Sequence, residues 1–126
     1  MRMIRNLMLT LALAMCALAA AGCGQKTFTT EQFVEEANAE GAQMILGAEL
    51  YSNDSDVTVH DVSFRSGGAA TIRVDADVDG AKTAYASCSN QPAFLCYRAS
   101  NVVVIVQGRP PGAGPLEQAI SALASD

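Results

Sequence analysis

The chain has 126 residues, half of them hydrophobic, and its thirteen Asp and Glu residues against eight Lys and Arg residues give a net charge of −5. A chain of this length supports one modest hydrophobic core rather than two. An acidic chain also lacks the basic clusters that displace counterions from nucleic acid, so we expect no DNA or RNA among its partners.

Residues 1–22 have the three parts of a secretory signal. Residues 1–6 carry Arg2 and Arg5 and no acid, residues 7–19 are apolar apart from Thr10, and small residues follow. A membrane-spanning helix needs about 20 apolar residues, so this stretch is short for a permanent anchor. We therefore expect export, with a non-cleaved membrane anchor as the weaker alternative.

Three small residues, Ala20, Ala21 and Gly22, stand directly before Cys23. This arrangement resembles the lipobox of bacterial lipoproteins, although the lipobox more often has leucine where this chain has Ala20. The resemblance implies that a diacylglycerol is attached to the thiol of Cys23 and that residues 1–22 are removed as a lipoprotein signal peptide. The alternative is a plain secretory signal in which Cys23 is incidental.

A lipid on Cys23 would hold the protein at the cell membrane, on its extracytoplasmic side. Two or more acyl chains make such an anchor effectively stable, because each buried CH₂ contributes about 0.8 kcal/mol. Residues 23–28 would then be a short tether and residues 29–126 a single α+β domain. Without Arg2 and Arg5, six basic residues remain against thirteen acidic ones, which gives a net charge of −7.

The cysteines that remain after processing are Cys88 and Cys96, since Cys16 lies within residues 1–22 and Cys23 would carry lipid. Outside the cytoplasm, two remaining cysteines most often form a disulfide. In the loop-entropy description, a bridge over so short a loop contributes on the order of 2–3 kcal/mol. A redox pair or a pair of metal ligands is the alternative, but seven residues separate the two cysteines rather than the two of a thioredoxin-like motif.

A helix is predicted to start after Thr29. Thr29 is a good N-cap, and Gln32 three residues later completes a capping box. Phe28 and Phe33 occupy the positions of a hydrophobic staple around that cap. Gly41 is a typical residue for the end of such a helix.

Three strands are predicted in the first half of the domain. Residues 44–46 are a short apolar strand, and residues 47–56 are polar and acidic, which predicts a loop. Residues 57–65 alternate with a change of phase, which predicts a β-bulge near residues 60–61. Residues 70–78 have the clearest alternation in the chain, which predicts one buried and one solvated face. The solvated face would carry Thr71, Arg73, Asp75 and Asp77.

The remaining segments complete the predicted fold. Residues 81–87 have the composition of one or two helical turns, and residues 102–106 are a β-branched run typical of a central strand buried on both faces. After a Pro- and Gly-rich linker, residues 115–124 have the spacing of an amphipathic helix that begins at Pro115. We therefore predict an α+β fold, with an antiparallel or mixed sheet of about four strands and two main helices packed on one face.

Asp75, Asp77 and Asp79, followed by Gly80, match the first half of a calcium-binding loop of the EF-hand type. The match then fails, because Ala86 stands where a bidentate glutamate is required. The simpler interpretation places Asp75 and Asp77 on the solvated strand face and Asp79 at a turn. We therefore expect no metal and no cofactor, and keep calcium as an alternative.

The chain has one histidine, His60, next to Asp61. Neighbouring side chains on a strand point to opposite faces, so these two do not form a catalytic relay, and we expect an exposed strand histidine. Arg98 and Asn101 flank the central strand. One role for them is to bind a ligand carboxylate and the other is to satisfy backbone groups at the end of the sheet, and we favour the second. We expect no catalytic residue.

Residues 28–31 (Phe-Thr-Thr-Glu) open the first helix, and residues 96–101 (Cys-Tyr-Arg-Ala-Ser-Asn) run into three valines. In these two features the domain loosely resembles small exported lipoproteins of the actinobacterial type, a resemblance that implies no activity and no site. We expect a non-enzymatic binding or interaction module at the cell envelope, which meets a ligand or a partner protein on the solvated strand face. A calcium-dependent envelope protein is the second hypothesis, and a small hydrolase is the third.

Overall fold

The computed structural model describes residues 26–53 and 56–124 of the chain. Within them, five strands form one sheet in the order β1-β2-β3-β5-β4, and every neighbouring pair is antiparallel. The predicted α+β class is therefore confirmed, with five strands in place of about four. The elements in chain order are α1 (Thr30–Ala39), β1 (Met44–Asn53), β2 (Val57–Phe64), β3 (Ala69–Asp75), α2 (Val78–Ser89), β4 (Phe94–Ala99), β5 (Val102–Gln107) and α3 (Ala113–Leu123).

Helices α1 and α3 pack on one face of the sheet, as predicted for the two main helices. Their apolar stripes meet the side chains that the strands direct to this face, because every second residue of a strand points the same way. Burial of an aliphatic or aromatic side chain here stabilises the fold by roughly 1.5–3 kcal/mol. Fully buried residues at this interface include Phe33 of α1, Leu116 of α3, and Val62, Ile72 and Val104 of the sheet.

Helix α2 packs on the opposite face of the sheet. Its Cys88 is bonded to Cys96 of β4, and Cys96 shares a face with its strand partner Ile105. Val103, two residues from Ile105 and therefore on the same face, is fully buried. Strand β5 is thus covered on both faces, as its β-branched composition predicts.

The solvated face predicted for β3 is wrong. Helix α2 has twelve residues rather than one or two turns, and it lies over β3, β5 and β4. Thr71 and Arg73 are consequently half-buried, and Asp75 is only 5% exposed. Asp77 lies beyond the end of β3, where it caps α2.

Strand β1 extends through Asn53, so the loop predicted at residues 47–56 is wrong over most of its length. The strand lies at the edge of the sheet, where polar side chains remain in water while the main chain pairs with β2. The irregularity predicted within β2 lies in β1 instead. The register against β2 shifts between Leu46 and Glu49 and again between Glu49 and Tyr51, and each shift places an extra residue in β1.

Two further elements differ from their predicted extents. Strand β4 lies where no strand was predicted, partly within the loop that the Cys88–Cys96 disulfide closes. Helix α3 begins at Ala113, two residues before Pro115. Both differences concern residues near the Pro- and Gly-containing loops, where helix and strand signals are weakest.

The start of α1 has the predicted cap. Thr29 Oγ1 accepts a hydrogen bond from the backbone N–H of Gln32 (3.2 Å), and Gln32 Oε1 accepts one from the N–H of Thr29 (3.0 Å). The rings of Phe28 and Phe33 meet edge to face with centroids 5.9 Å apart, as expected for a hydrophobic staple. Gly41 follows the helix with a φ of +97°, which favours glycine.

The side chain of Asn101 joins the start of the described chain to the sheet. Its Oδ1 accepts a hydrogen bond from the N–H of Phe28 (2.7 Å), and its Nδ2 donates to the carbonyl oxygens of Phe28 (2.9 Å) and Asp75 (2.7 Å). Arg98 donates to the carbonyl oxygen of Ser100 at 2.9 Å. The favoured role of Arg98 and Asn101 is therefore confirmed, since both satisfy backbone groups.

We expect Asn101→Ala to lower the free energy of unfolding by about 2–4 kcal/mol, because three buried backbone groups would lose their partner at once. Urea unfolding followed by circular dichroism measures the change. Gln118→Ala, at an exposed position of α3, is the control and should change stability by less than about 0.5 kcal/mol. Equal stability of the two variants would contradict the role assigned to Asn101.

Gly112 and Gly114 offer a matched pair at the start of α3. A Cβ at Gly112 would overlap the side chain of Phe64, whereas a Cβ at Gly114 would have nothing within 4 Å. Gly112→Ala should therefore lower the free energy of unfolding by about 1–3 kcal/mol through overpacking. Gly114→Ala should raise it by up to about 1 kcal/mol, because alanine favours a helix. Thermal unfolding of both variants measures the difference, and a stable Gly112→Ala variant would contradict the packing described.

Candidate functional site

An open groove lies at one corner of the sheet, on the face that carries α1. Its volume is about 510 Å³, within the range of about 300–1,000 Å³ that is usual for ligand sites. Residues 27–32, at the start of α1, line one part of the groove. The later residues of β1, the first residues of β2 and the end of β3 line the rest, together with Asn101.

Strand register and the Asn101 contacts bring these segments together. Glu49 of β1 lies opposite His60 of β2, and Thr58 of β2 lies opposite Val74 of β3. Asn101 holds the backbone of Phe28 next to the end of β3, which places the first turn of α1 beside these strands. The groove is therefore a product of the fold and does not come from one continuous motif.

The groove carries uncompensated negative charge. Glu31, Glu49 and Asp56 line it, and in the described part of the chain none of their carboxylates makes an ion pair or a hydrogen bond. No Lys or Arg of the described residues lines the groove. Asp75 also lines it, but its carboxylate is paired with Arg73.

Apolar groups line the groove as well, namely Phe28, Val57 and Val74. Lys26 lies beside this surface, with its Nζ 5.3 Å from the centroid of the Phe28 ring and 2.7 Å from Oε1 of Glu36. The first distance is typical of a cation–π contact. An ammonium group of the chain itself is thus accommodated next to the groove by an aromatic ring and a carboxylate.

His60 lines the groove and is half-buried, so the prediction of an exposed histidine is wrong. It is on the same strand face as Val62, whose side chain is buried in the core, and Asp61 between them is exposed on the opposite face. Nδ1 of His60 is buried and has no hydrogen-bond partner among the described residues. A buried polar atom without a protein partner is uncommon in folded proteins, where such an atom usually bonds to water, an ion or a ligand.

The three aspartates of the calcium-like motif have separate structural roles. Asp75 accepts two hydrogen bonds of 3.0 Å from Arg73, and these raise the pKa of the Arg73 guanidinium above its ordinary value. Asp77 caps α2 by accepting a hydrogen bond from the N–H of Gly80 at 2.8 Å, and Asp79 lies in the first turn of that helix. Among the described residues, no three His, Cys, Asp or Glu side chains are grouped so that they could hold a metal ion.

The predicted disulfide is present, since Cys88 and Cys96 are bonded with their Cα atoms 6.1 Å apart. It joins the end of α2 to β4. Cys23, the predicted site of lipid attachment, lies outside the described residues, as do residues 1–22. In the part of the chain that the structure covers, no helix is both long enough and apolar enough to cross a membrane.

Sequence reasoning considered Asp56 only as a possible addition to the calcium-like motif and did not group it with Glu31 and Glu49. Glu31 belongs to a helix, Glu49 to the edge strand and Asp56 to the turn before β2, so nothing in their spacing links them. One local signal was present. The apolar pair Leu50 and Tyr51 within the polar segment favours a strand over a loop, and it would have placed Glu49 in the sheet.

Comparison with protein-family models, with curated proteins and with solved structures gave no match for this chain. Three features of the chain bear on its function. They are the groove, the Cys88–Cys96 disulfide and the N-terminal sequence.

We expect calcium to leave the melting temperature unchanged to within about 1 °C, because a cation that does not bind the native state does not stabilise it. Asp75 and Asp77 already have partners within the chain. Calorimetry in calcium and in chelator makes the comparison. Asp77→Ala should lower stability by about 1 kcal/mol in both conditions through loss of the helix cap. A calcium-dependent rise that disappears in Asp77→Ala would restore the calcium hypothesis.

Proposed function

We propose that this chain is an exported lipoprotein whose domain binds a ligand or a partner protein at the cell envelope without catalysing a reaction. A diacylglycerol on Cys23 would hold it at the cell membrane, on the extracytoplasmic side. The groove beside the start of α1 is the observation that carries the binding function. Its volume suits a ligand, and the carboxylates of Glu31, Glu49 and Asp56 and the Nδ1 atom of His60 have no partner among the described residues.

The disulfide supports the proposed compartment. Disulfides form and persist in secreted and envelope proteins, whereas glutathione and thioredoxin keep cytosolic thiols reduced. The Cys88–Cys96 bridge fastens α2 to β4, so an oxidising environment would stabilise the helix that covers one face of the sheet.

The N-terminal contacts support a position close to the membrane. Ser100 Oγ donates a hydrogen bond to the carbonyl oxygen of Lys26, and Asn101 holds Phe28, so the chain is attached to the sheet from its first described residue. Two residues separate Lys26 from Cys23. With about 3.8 Å between successive Cα atoms, the Cα atoms of Lys26 and Cys23 lie at most about 11 Å apart. A lipid on Cys23 would therefore place the groove near the membrane surface.

Binding is favoured over hydrolysis by the surroundings of His60. A catalytic base needs a nucleophile within hydrogen-bond reach, and in nucleophilic catalysis a third group orients the base. Nδ1 of His60 lacks any such partner among the described residues, and the neighbouring Asp61 is on the opposite strand face. The groove has polar and apolar groups that can bind a ligand. Its described residues do not include a base held between a nucleophile and an orienting group.

The intact mass of the protein from the host membrane fraction tests the anchor and the compartment together. We expect a chain that begins at Cys23, carries added acyl mass, and gains two alkyl groups only after reduction. Cys23→Ala is the control and should remain an unprocessed, unacylated precursor. An unlipidated wild-type chain, or two thiols that react without reductant, would contradict the proposal.

A further inference from the structure

We infer that the Cys88–Cys96 disulfide is a redox-sensitive conformational switch. While the bond is intact, it holds residues 82–89, the C-terminal segment of α2, against the sheet. Reduction of the bond by a dithiol releases this segment, while the sheet, α1 and α3 stay folded. The inference goes beyond the proposed binding function and is independent of it, because α2 and the groove lie on opposite faces of the sheet.

Helix α2 buries few side chains, and they are unevenly placed along it. Val78, Ala81 and Cys88 are buried, and the first two belong to the first turn. Within residues 82–89, Cys88 is the only buried residue, while Ala84 is half-buried and the others are exposed. The one side chain that this segment buries is therefore the one that forms the disulfide.

The first turn of α2 is attached to the sheet without the disulfide. Asp77 Oδ1 accepts a hydrogen bond from the N–H of Gly80 at 2.8 Å. Gly80 packs closely on Asp75, since a Cβ at Gly80 would lie 2.9 Å from Oδ1 of that buried carboxylate. Val78 and Ala81 add buried apolar contacts. The first turn can therefore stay in place as a hinge when the segment after it moves.

Residues 82–89 have little tendency to stay helical by themselves. Isolated helices shorter than about 12–15 residues are marginal in water, so most of the stability of a helix in a protein comes from packing. Thr83, Ser87 and Ser89 are also weaker helix formers than alanine. In the loop-entropy description, the bridge restricts the conformations of a detached segment, and reduction removes that restriction. The disulfide is therefore the main attachment of this segment to the sheet.

Release of the segment leaves the main core intact. That core lies on the other face of the sheet, where α1 and α3 pack, and none of the described residues of α2 belongs to it. Next to the disulfide, Ile105 lies between its strand partners Cys96 and Thr71, and both Ile105 and Thr71 are half-buried. Reduction therefore exposes a mixed polar and apolar part of the sheet that α2 covers in the oxidised protein.

The disulfide lies where a dithiol can reach it. Cys96 is half-buried on the edge strand β4, and residues 89–93, in the loop that the bridge closes, are exposed. A thiolate of the dithiol attacks Sγ of Cys96, the bond to Cys88 breaks, and Cys88 leaves as a thiolate that takes up a proton. The second thiol of the reductant then attacks the mixed disulfide and releases Cys96. Two electrons and two protons pass to the cysteines, and the dithiol becomes a disulfide.

Hydrogen–deuterium exchange of the intact protein, isolated from its host and followed by mass spectrometry, tests this inference. Exchange is measured before and after treatment with dithiothreitol in the absence of denaturant, and alkylation verifies that both thiols have formed. We expect the amides of residues 82–89 to exchange at least about tenfold faster after reduction, because the bridge no longer limits their opening. The amides of α1 and β5 should change by less than about twofold, since both elements contribute to the main core.

The double variant Cys88→Ser/Cys96→Ser is the matched control. It should exchange like the reduced protein, and dithiothreitol should not change its exchange further. A bond that dithiothreitol does not reduce in the folded protein would overturn the inference, as would unchanged exchange of residues 82–89 after complete reduction. Loss of protection in α1 and β5 together with α2 would also overturn it, because the domain would then unfold as one unit.

Discussion

The three hydrogen bonds of Asn101 join segments of the chain that are 73 and 26 residues apart. They hold Phe28 next to the end of β3. Because Phe28 immediately precedes Thr29, the N-cap of α1, these bonds determine where the first turn of that helix lies. Since this turn lines the groove, the fold and the candidate site depend on the same buried amide. A polar side chain that is 2% exposed is stable there because both its oxygen and its nitrogen have partners.

The elements predicted well are those with a local signal. The capping box at Thr29, the alternation of β3 and the β-branched composition of β5 each indicate an element without reference to the rest of the chain. Helix α2 and strand β1 carry weaker local signals, and only part of each was predicted. Only Val78, Ala81 and Cys88 of α2 are buried, so its position depends on the sheet and the disulfide. Strand β1 is exposed along most of its length and is held by main-chain pairing, which leaves little hydrophobic periodicity in the sequence.

The candidate site was less predictable than the fold, because its chemistry depends on register and on partners rather than on spacing. The pairing of Glu49 with His60 follows from the register shifts in β1. Gly47, inside the strand at the first shift, is a sequence signal for such a bulge, but it does not specify which residues then pair. Conversely, the regular spacing of Asp75, Asp77 and Asp79 matches half of a calcium loop and kept calcium as an alternative. In the structure, Asp75 pairs with the guanidinium of Arg73, and Asp77 caps α2. Helix α2 covers the sheet face that was predicted to bind a partner. The groove lies at a corner of the opposite face.

Edge strands expose main-chain donors and acceptors to neighbouring molecules, and β1 does so beside the half-exposed side chains of Ile45, Leu50 and Tyr51. Such an edge is a template on which strands of further molecules can add, which leads to fibres when copies are crowded. The two extra residues in β1 interrupt the even spacing of that edge, and bulges of this kind are a common means of limiting edge-to-edge pairing. At the high local concentration that the proposed lipid anchor would impose on a membrane surface, such an irregularity would oppose polymerisation.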